Sequence, residues 1–199
     1  MSELFLTLVA EYGAIVVGLS AFLSCLLIPI PTALVMLAGG AFAAAGDLTL
    51  SSVLVTAWLA AIAGDQAGYR VGRSFGPTIK ARFTRRPRAA KAFAKAETIV
   101  QTHGGLGVFF STWALAPLGP YANIAAGAVG LNAWRFALWD AAGEAIWVGA
   151  YVMLGYMFAS QLTEVSSLMS NIVGFLLALV AAGFVGWLLT KRLKAHTLA

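Results

Sequence analysis

The chain has 199 residues, 60% of them hydrophobic and 11% charged, with 13 Lys and Arg against 8 Asp and Glu for a net charge of +5. Soluble domains run at about 45–50% apolar and 25% charged, so this is the composition of an integral membrane protein with room for a few crossings of about 20 residues each. A separate soluble catalytic domain is excluded. A nucleic-acid module is also excluded, because nine of the thirteen cations lie between Arg70 and Lys95 and three close the chain at Lys191, Arg192 and Lys194. Clusters of that kind mark the cytoplasmic ends of membrane helices.

In chain order, Met1-Ser2-Glu3 provides no basic region ahead of the first apolar stretch, so no cleaved leader is expected. Tyr12 to Gly46 is 35 residues without a charge. Wholly helical, such a stretch would span roughly 52 Å against a hydrocarbon core of about 30 Å. It must break, and Pro29 and Pro31 supply the break, because proline lacks a backbone donor and clashes with the preceding turn. The expectation is a first re-entrant hairpin over about 12–46, shielded by protein or water. The lone Cys25 reads as a small packing residue.

A transmembrane helix is predicted over Ser51 to Gly76, followed by a basic interfacial segment over 77–103. In that segment Arg88, Lys91 and Lys95 share one face while Ala89, Phe93, Ala96 and Val100 share another. Such a helix is expected on the inner leaflet beside anionic lipid. The next stretch is broken by Pro117 and Pro120 and predicts a second hairpin over about 104–130. Two helices over 133–160 and 168–190 complete a single membrane domain over 1–199, with the C-terminus cytoplasmic.

The two breaks resemble each other. Pro29 precedes Gly39 by ten residues, as Pro117 precedes Gly127. Each break is followed by a long helix with one acid after a small pair, Ala63-Gly64-Asp65 and Ala142-Gly143-Glu144, and then a Gly-Tyr at 68-69 and 155-156. The spacing from break to acid differs, so the repeat is weak. Because one long helix descends and the other rises, it reads as an inverted repeat, the arrangement of transporters with a site between halves. The fold class is therefore all-α: an inverted-repeat helical bundle with two re-entrant hairpins, transmembrane helices and an amphipathic interfacial helix.

Chemistry falls to the few polar residues in apolar surroundings. Gly64, Gly68, Gly72 and Gly76 form a stripe for close helix packing. Beside it run Asp65, Tyr69 and Arg73, with Asp65 near mid-membrane, where an acid must be paired, wet or protonated. Asp140 and Glu144 stand one turn apart. They either hold one proton between them, or Asp140 is interfacial and paired with Arg135 or the basic loop, leaving Glu144 alone. Asn123 can bond backbone freed by the second break or a ligand head group, the former being more frequent. The Trp residues around the second break read as belt or core. Gly72-Arg73-Ser74-Phe75-Gly76 matches G-x-S-x-G, but it ends a membrane helix and lacks the strand that motif needs. No metal-ligand spacing or phosphate-binding glycine loop occurs, so neither an enzyme nor a cofactor is expected.

These residues together resemble the DedA family, also called the SNARE-associated Golgi protein family. The resemblance covers roughly Ala14 to Ser160. It rests on PIP followed by LAGGAFA, on AGDQAGYRVGRSFG, on the HGG at 103-105, on PLGPYANIAAGAVGLNAWRF and on WDAAGEAIWVGAYVMLGY. It implies two facing re-entrant hairpins in a bacterial inner-membrane protein. It also implies work on lipids, since bacterial members are linked to recycling polyprenyl-phosphate carriers with proton coupling, and eukaryotic relatives scramble phospholipids. Many members carry acids where this chain has Ser24 and Ala33, and arginines near Thr112 or Trp113 and at Gly119. The resemblance thus leaves the charged work to Asp65, Asp140, Glu144 and Arg73. The expectation is a transporter, flippase or scramblase for a lipid or other amphipathic anionic substrate. The competing readings are a non-transporting scaffold or envelope-homeostasis factor and a small-ion or oxyanion transporter.

Overall fold

The computed structural model describes residues 2–159, and side chains over 12–83 and 85–159. The helix predicted over 168–190 lies outside the described residues. Those described are all-helical: seven α-helices and one short 3-10 turn.

Helix α1 spans Ser2–Ser24 and α2 spans Thr32–Ala45. Between them Leu27 takes a left-handed φ of 63°, which costs a residue with a Cβ roughly 1–2 kcal/mol. Pro29 and Pro31 follow, and α2 starts directly after Pro31. The Thr32 hydroxyl donates to the Ser20 carbonyl at 3.2 Å, tying the start of α2 back to α1. Gly46, at φ 88°, ends α2 by donating its N–H to the carbonyls of Ala43 and Phe42, a left-handed cap that suits glycine.

Helix α3 runs over Leu50–Thr84, eight residues beyond the predicted end at Gly76. Pro77 bends it instead of ending it: the backbone leaves helical values at Phe75 (φ −125°) and the helix resumes. The resumed turns are held because Ile79 and Phe83 pack against buried neighbours. The segment predicted as one basic unit over 77–103 is therefore divided between the end of α3 and α4, Pro87–His103. On α4 Arg88, Lys91 and Lys95 are exposed. The predicted apolar face is real, but Phe93, Ala96 and Val100 are buried in protein, not offered to lipid.

Helix α5 (Gly105–Trp113) leads through the 3-10 turn Ala116–Leu118 into α6 (Gly119–Ala128). Helix α7 spans Ala133–Met157. The Asn132 side-chain carbonyl opens α7 by accepting the N–H groups of Trp134 at 3.0 Å and Arg135 at 3.1 Å.

Two cores result. The first joins Val17 and Ala21 of α1, Met36 of α2, Val53 and Ala57 of α3, and Val148 and Val152 of α7. The second joins Tyr69 of α3, Phe93 of α4, Val108 of α5, Ala122 of α6 and Phe136 of α7. Helix α3 gives its early turns to the first core and later turns to the second, whereas α7 does the reverse. The two long helices are thus antiparallel, each crossing both cores. Outward faces carry Ile15, Val16, Leu19, Leu59, Phe110 and Leu138 exposed, an apolar exterior suited to lipid. By length and composition one helix among the described residues, Leu50–Phe83, can cross a membrane, while Tyr12–Ser24 and Thr32–Ala45 are shorter apolar helices.

Candidate functional site

The carboxylates lie where the two cores meet. On α3, Asp65 falls between Ala61 of the first core and Tyr69 of the second. On α7, Asp140 and Glu144 fall between Phe136 of the second and Val148 of the first. All three are buried, with 2%, 0% and 4% of their surface exposed. Helix packing brings them into one region: the Trp58 indole of α3 donates to the Ala141 carbonyl of α7 at 2.9 Å, between Asp140 and Glu144 in sequence.

Four close crossings fix this arrangement, each at a glycine. A Cβ on Gly64 would press on the Phe22 carbonyl of α1, and one on Gly143 would press on Thr112 and the Phe109 carbonyl of α5. The small residue before each acid thus seats the first arm of the preceding helix pair. Further along, a Cβ on Gly72 would overlap the Ile124 carbonyl of α6, and one on Gly127 the Tyr69 carbonyl of α3. On the other side Gly40 meets the Val152 carbonyl and Gly155 the Leu37 carbonyl in the same way. Gly72 follows Asp65 by seven residues and Gly155 follows Glu144 by eleven. Near 3.6 residues per turn these spacings differ by about one turn and keep each acid on the face of its crossing glycine.

A cavity of about 270 Å³ opens between the breaks. The first break contributes Ser24, Cys25, Ile30, Pro31, Thr32 and Ala33; the second contributes Thr112, Ala116, Gly119 and Pro120; the long helices contribute Asp65, Glu144, Trp147 and Tyr151. No Lys or Arg is among these lining residues. Of the positions where the resemblance leads one to expect charges, Ser24, Ala33 and Gly119 line this space, and of the pair Thr112 or Trp113 only Thr112 does.

The predicted site residues separate into groups. Asp65 and Glu144 line the cavity. Asn123 is buried behind it and donates its amide N–H to Asp65, while its carbonyl oxygen has no partner. Asp140 is off the wall, and neither carboxylate oxygen has a hydrogen-bond partner. Arg135 lies instead about 3.8 Å from where a Cβ on Gly104 would sit. Tyr69 donates to the Leu131 carbonyl and stacks on Phe136, with ring centroids 4.7 Å apart, inside the second core. Arg73 is exposed beside Gly130 and does not reach the cavity. Of the prolines, Pro31 and Pro120 line the cavity, whereas Pro29 and Pro117 are exposed. Sequence reasoning missed Cys25, Trp147 and Tyr151. The last two follow Glu144 by three and seven residues, a helical spacing that could have found them.

A VTT domain matches residues 28–157. An uncharacterized membrane protein of Synechocystis is 31% identical over 76% of this chain and 69% of its own length. The uncharacterized membrane protein YkoX of Bacillus subtilis is 27% identical over 84% of this chain and 76% of its own. Protein DedA of Escherichia coli is 26% identical over 95% and 90%. No solved structure matches. The chain is therefore a membrane protein belonging to the DedA family, with its VTT domain enclosing both breaks, both long helices and the carboxylates between them.

Proposed function

We propose that this protein is a transporter of the flippase or scramblase type, moving a lipid or other amphipathic anionic molecule through the cavity between the two breaks. The observation that carries this reading is the composition of the cavity wall: both proline breaks and one acid from each long helix. The pairs α1–α2 and α5–α6 are on this reading re-entrant hairpins of an inverted repeat. The packing supports it, since α1 lies on α3 and α5 on α7, while each second arm crosses to the other long helix, α2 to α7 and α6 to α3. The place of action is the bacterial inner membrane, with Lys191-Arg192-Leu193-Lys194 on the cytoplasmic side.

Electrostatics constrains the cargo. Two carboxylates and no lining cation repel an anionic head group, and in a low-dielectric site that repulsion is large. An anionic lipid, polyprenyl phosphate or phospholipid, can sit there only when Asp65 and Glu144 take up protons, so proton coupling accompanies an anionic cargo. The same wall disfavours a free oxyanion. The test is reconstitution in liposomes with fluorescent lipids. Expected are movement above empty vesicles, faster movement of anionic lipid at acidic pH, and at least a tenfold loss in Asp65→Asn and Glu144→Gln at unchanged membrane abundance. No movement above empty vesicles would sink the proposal and favour a scaffold or envelope-homeostasis role.

A further inference from the structure

The cavity wall holds a donor set that no sequence motif announces. Cys25 in the turn just after α1, Asp65 on α3 and Glu144 on α7 are each buried, and the thiol sulfur and one oxygen from each carboxylate lie within 4.8 Å of one another. Two helices and the turn after α1 thus bring one soft and two hard ligand atoms together beside open space. Two unpartnered polar atoms mark the same spot as incomplete. Glu144, 4% exposed, has an Oε2 with no hydrogen-bond partner, and Asn123, 1% exposed, holds Asp65 through its amide N–H while its own carbonyl is unused. Buried polar atoms are otherwise satisfied almost everywhere in proteins, so such orphans point to a missing partner.

From this geometry we propose that Cys25, Asp65 and Glu144 form a binding site for a thiophilic divalent cation of the zinc class. Thiolate sulfur with carboxylate oxygen suits Zn²⁺ and Co²⁺ better than Mg²⁺ or Ca²⁺, which prefer all-oxygen shells. Ligand atoms in a tetrahedral zinc shell are roughly 3.5 Å apart, so side-chain shifts of about 1 Å close the set. The adjoining cavity leaves the fourth position to water. Asn123 orients Asp65 from behind, as the outer partners of metal ligands do. The charges also agree in sign: a dication offsets two of the three negative charges of a thiolate and two carboxylates, which no lining Lys or Arg offsets. Cation and protons compete for the same oxygens, so binding releases protons.

The site requires the cavity but not lipid movement, and it can be tested without any transport assay. Cobalt(II) chloride is titrated into the purified full-length protein in detergent. Because the chain has one cysteine, a sulfur-to-cobalt charge-transfer band in the near ultraviolet can arise only at Cys25. Expected are saturation at one Co²⁺ per chain, displacement by Zn²⁺, loss of the band in Cys25→Ser, and at least tenfold weaker binding in Glu144→Gln with the band retained at saturation. Absence of a saturable band in the unsubstituted protein would overturn the proposal, whatever the variants do. So would equal Co²⁺ affinity in Glu144→Gln and the parent.

Discussion

The α3/α6 and α2/α7 crossings share a backbone device and differ in what fills the space beside it. At each, the glycine eight residues into the shorter helix, Gly127 or Gly40, meets the backbone of the long helix, and a long-helix glycine, Gly72 or Gly155, returns the contact. Four residues into the shorter helix stands Asn123 in one case and Met36 in the other, both fully buried. Seven residues before the long-helix glycine stands Asp65 in one case and Val148 in the other. One crossing is thus braced by a hydrogen-bonded amide and acid, the other by thioether and aliphatic packing in the first core. The backbone contact sets the architecture, and the side chains beside it are free to carry chemistry at one crossing only.

The largest expected effect breaks what the crossings share. Gly72→Leu and Gly155→Leu each drive side-chain atoms into a facing carbonyl, and overpacking of this kind costs about 3 kcal/mol or more. Both variants should lose monodisperse protein on size-exclusion chromatography in detergent. If one tolerated leucine while the other collapsed, the two crossings would not be equivalent.

Next come substitutions that separate them. Met36→Ala should lower stability by about 2–5 kcal/mol through an unfilled cavity. Asn123→Ala should cost about 1–3 kcal/mol by stranding Asp65 without its donor. The sharper experiment converts one crossing into the other. Asn123→Met alone should destabilise, whereas Asn123→Met with Asp65→Val should recover most of the loss, because removing both partners of a buried polar pair can be nearly neutral. A denaturant series on the four proteins measures the coupling. Additive losses would mean that the Asp65–Asn123 bond contributes nothing to that crossing.

Parts of this arrangement are legible in the sequence because they depend on local chemistry. Prolines inside an uncharged stretch announce the breaks, and the period of Phe93, Ala96 and Val100 announces the buried face of α4. The exchange of second arms between halves is not legible, because a glycine in an apolar run does not say which backbone it receives. The unequal spacing from break to acid has a local description. Glu144 sits one turn farther from its crossing glycine than Asp65 does from its own, an offset that changes residue spacing but preserves the helix face. The helix predicted to end at Gly76 continues past Pro77, whose local effect is the same whether a helix ends or bends. What decides is whether the next turn has partners, and Ile79 and Phe83 have them. Cys25 reads as packing until tertiary structure brings Asp65 and Glu144 to it.

The smallest expected effect concerns the cover that α4 places over the second core. Lys80, on the bent end of α3, pairs with Glu97 of α4 at 2.8 Å, with the two side chains 55% and 20% exposed. A pair this open to solvent contributes about 0–1 kcal/mol, and less at high salt. Beside it Phe83 packs on Phe93 of α4 at 5.3 Å and on Tyr121 of α6 at 5.5 Å between ring centroids, contacts that salt does not weaken. Phe83→Ala should therefore lower the thermal midpoint more than Lys80→Ala at every ionic strength, and only the Lys80→Ala deficit should shrink when salt is raised. The reverse order would mean that charge, not aromatic packing, holds α4 in place.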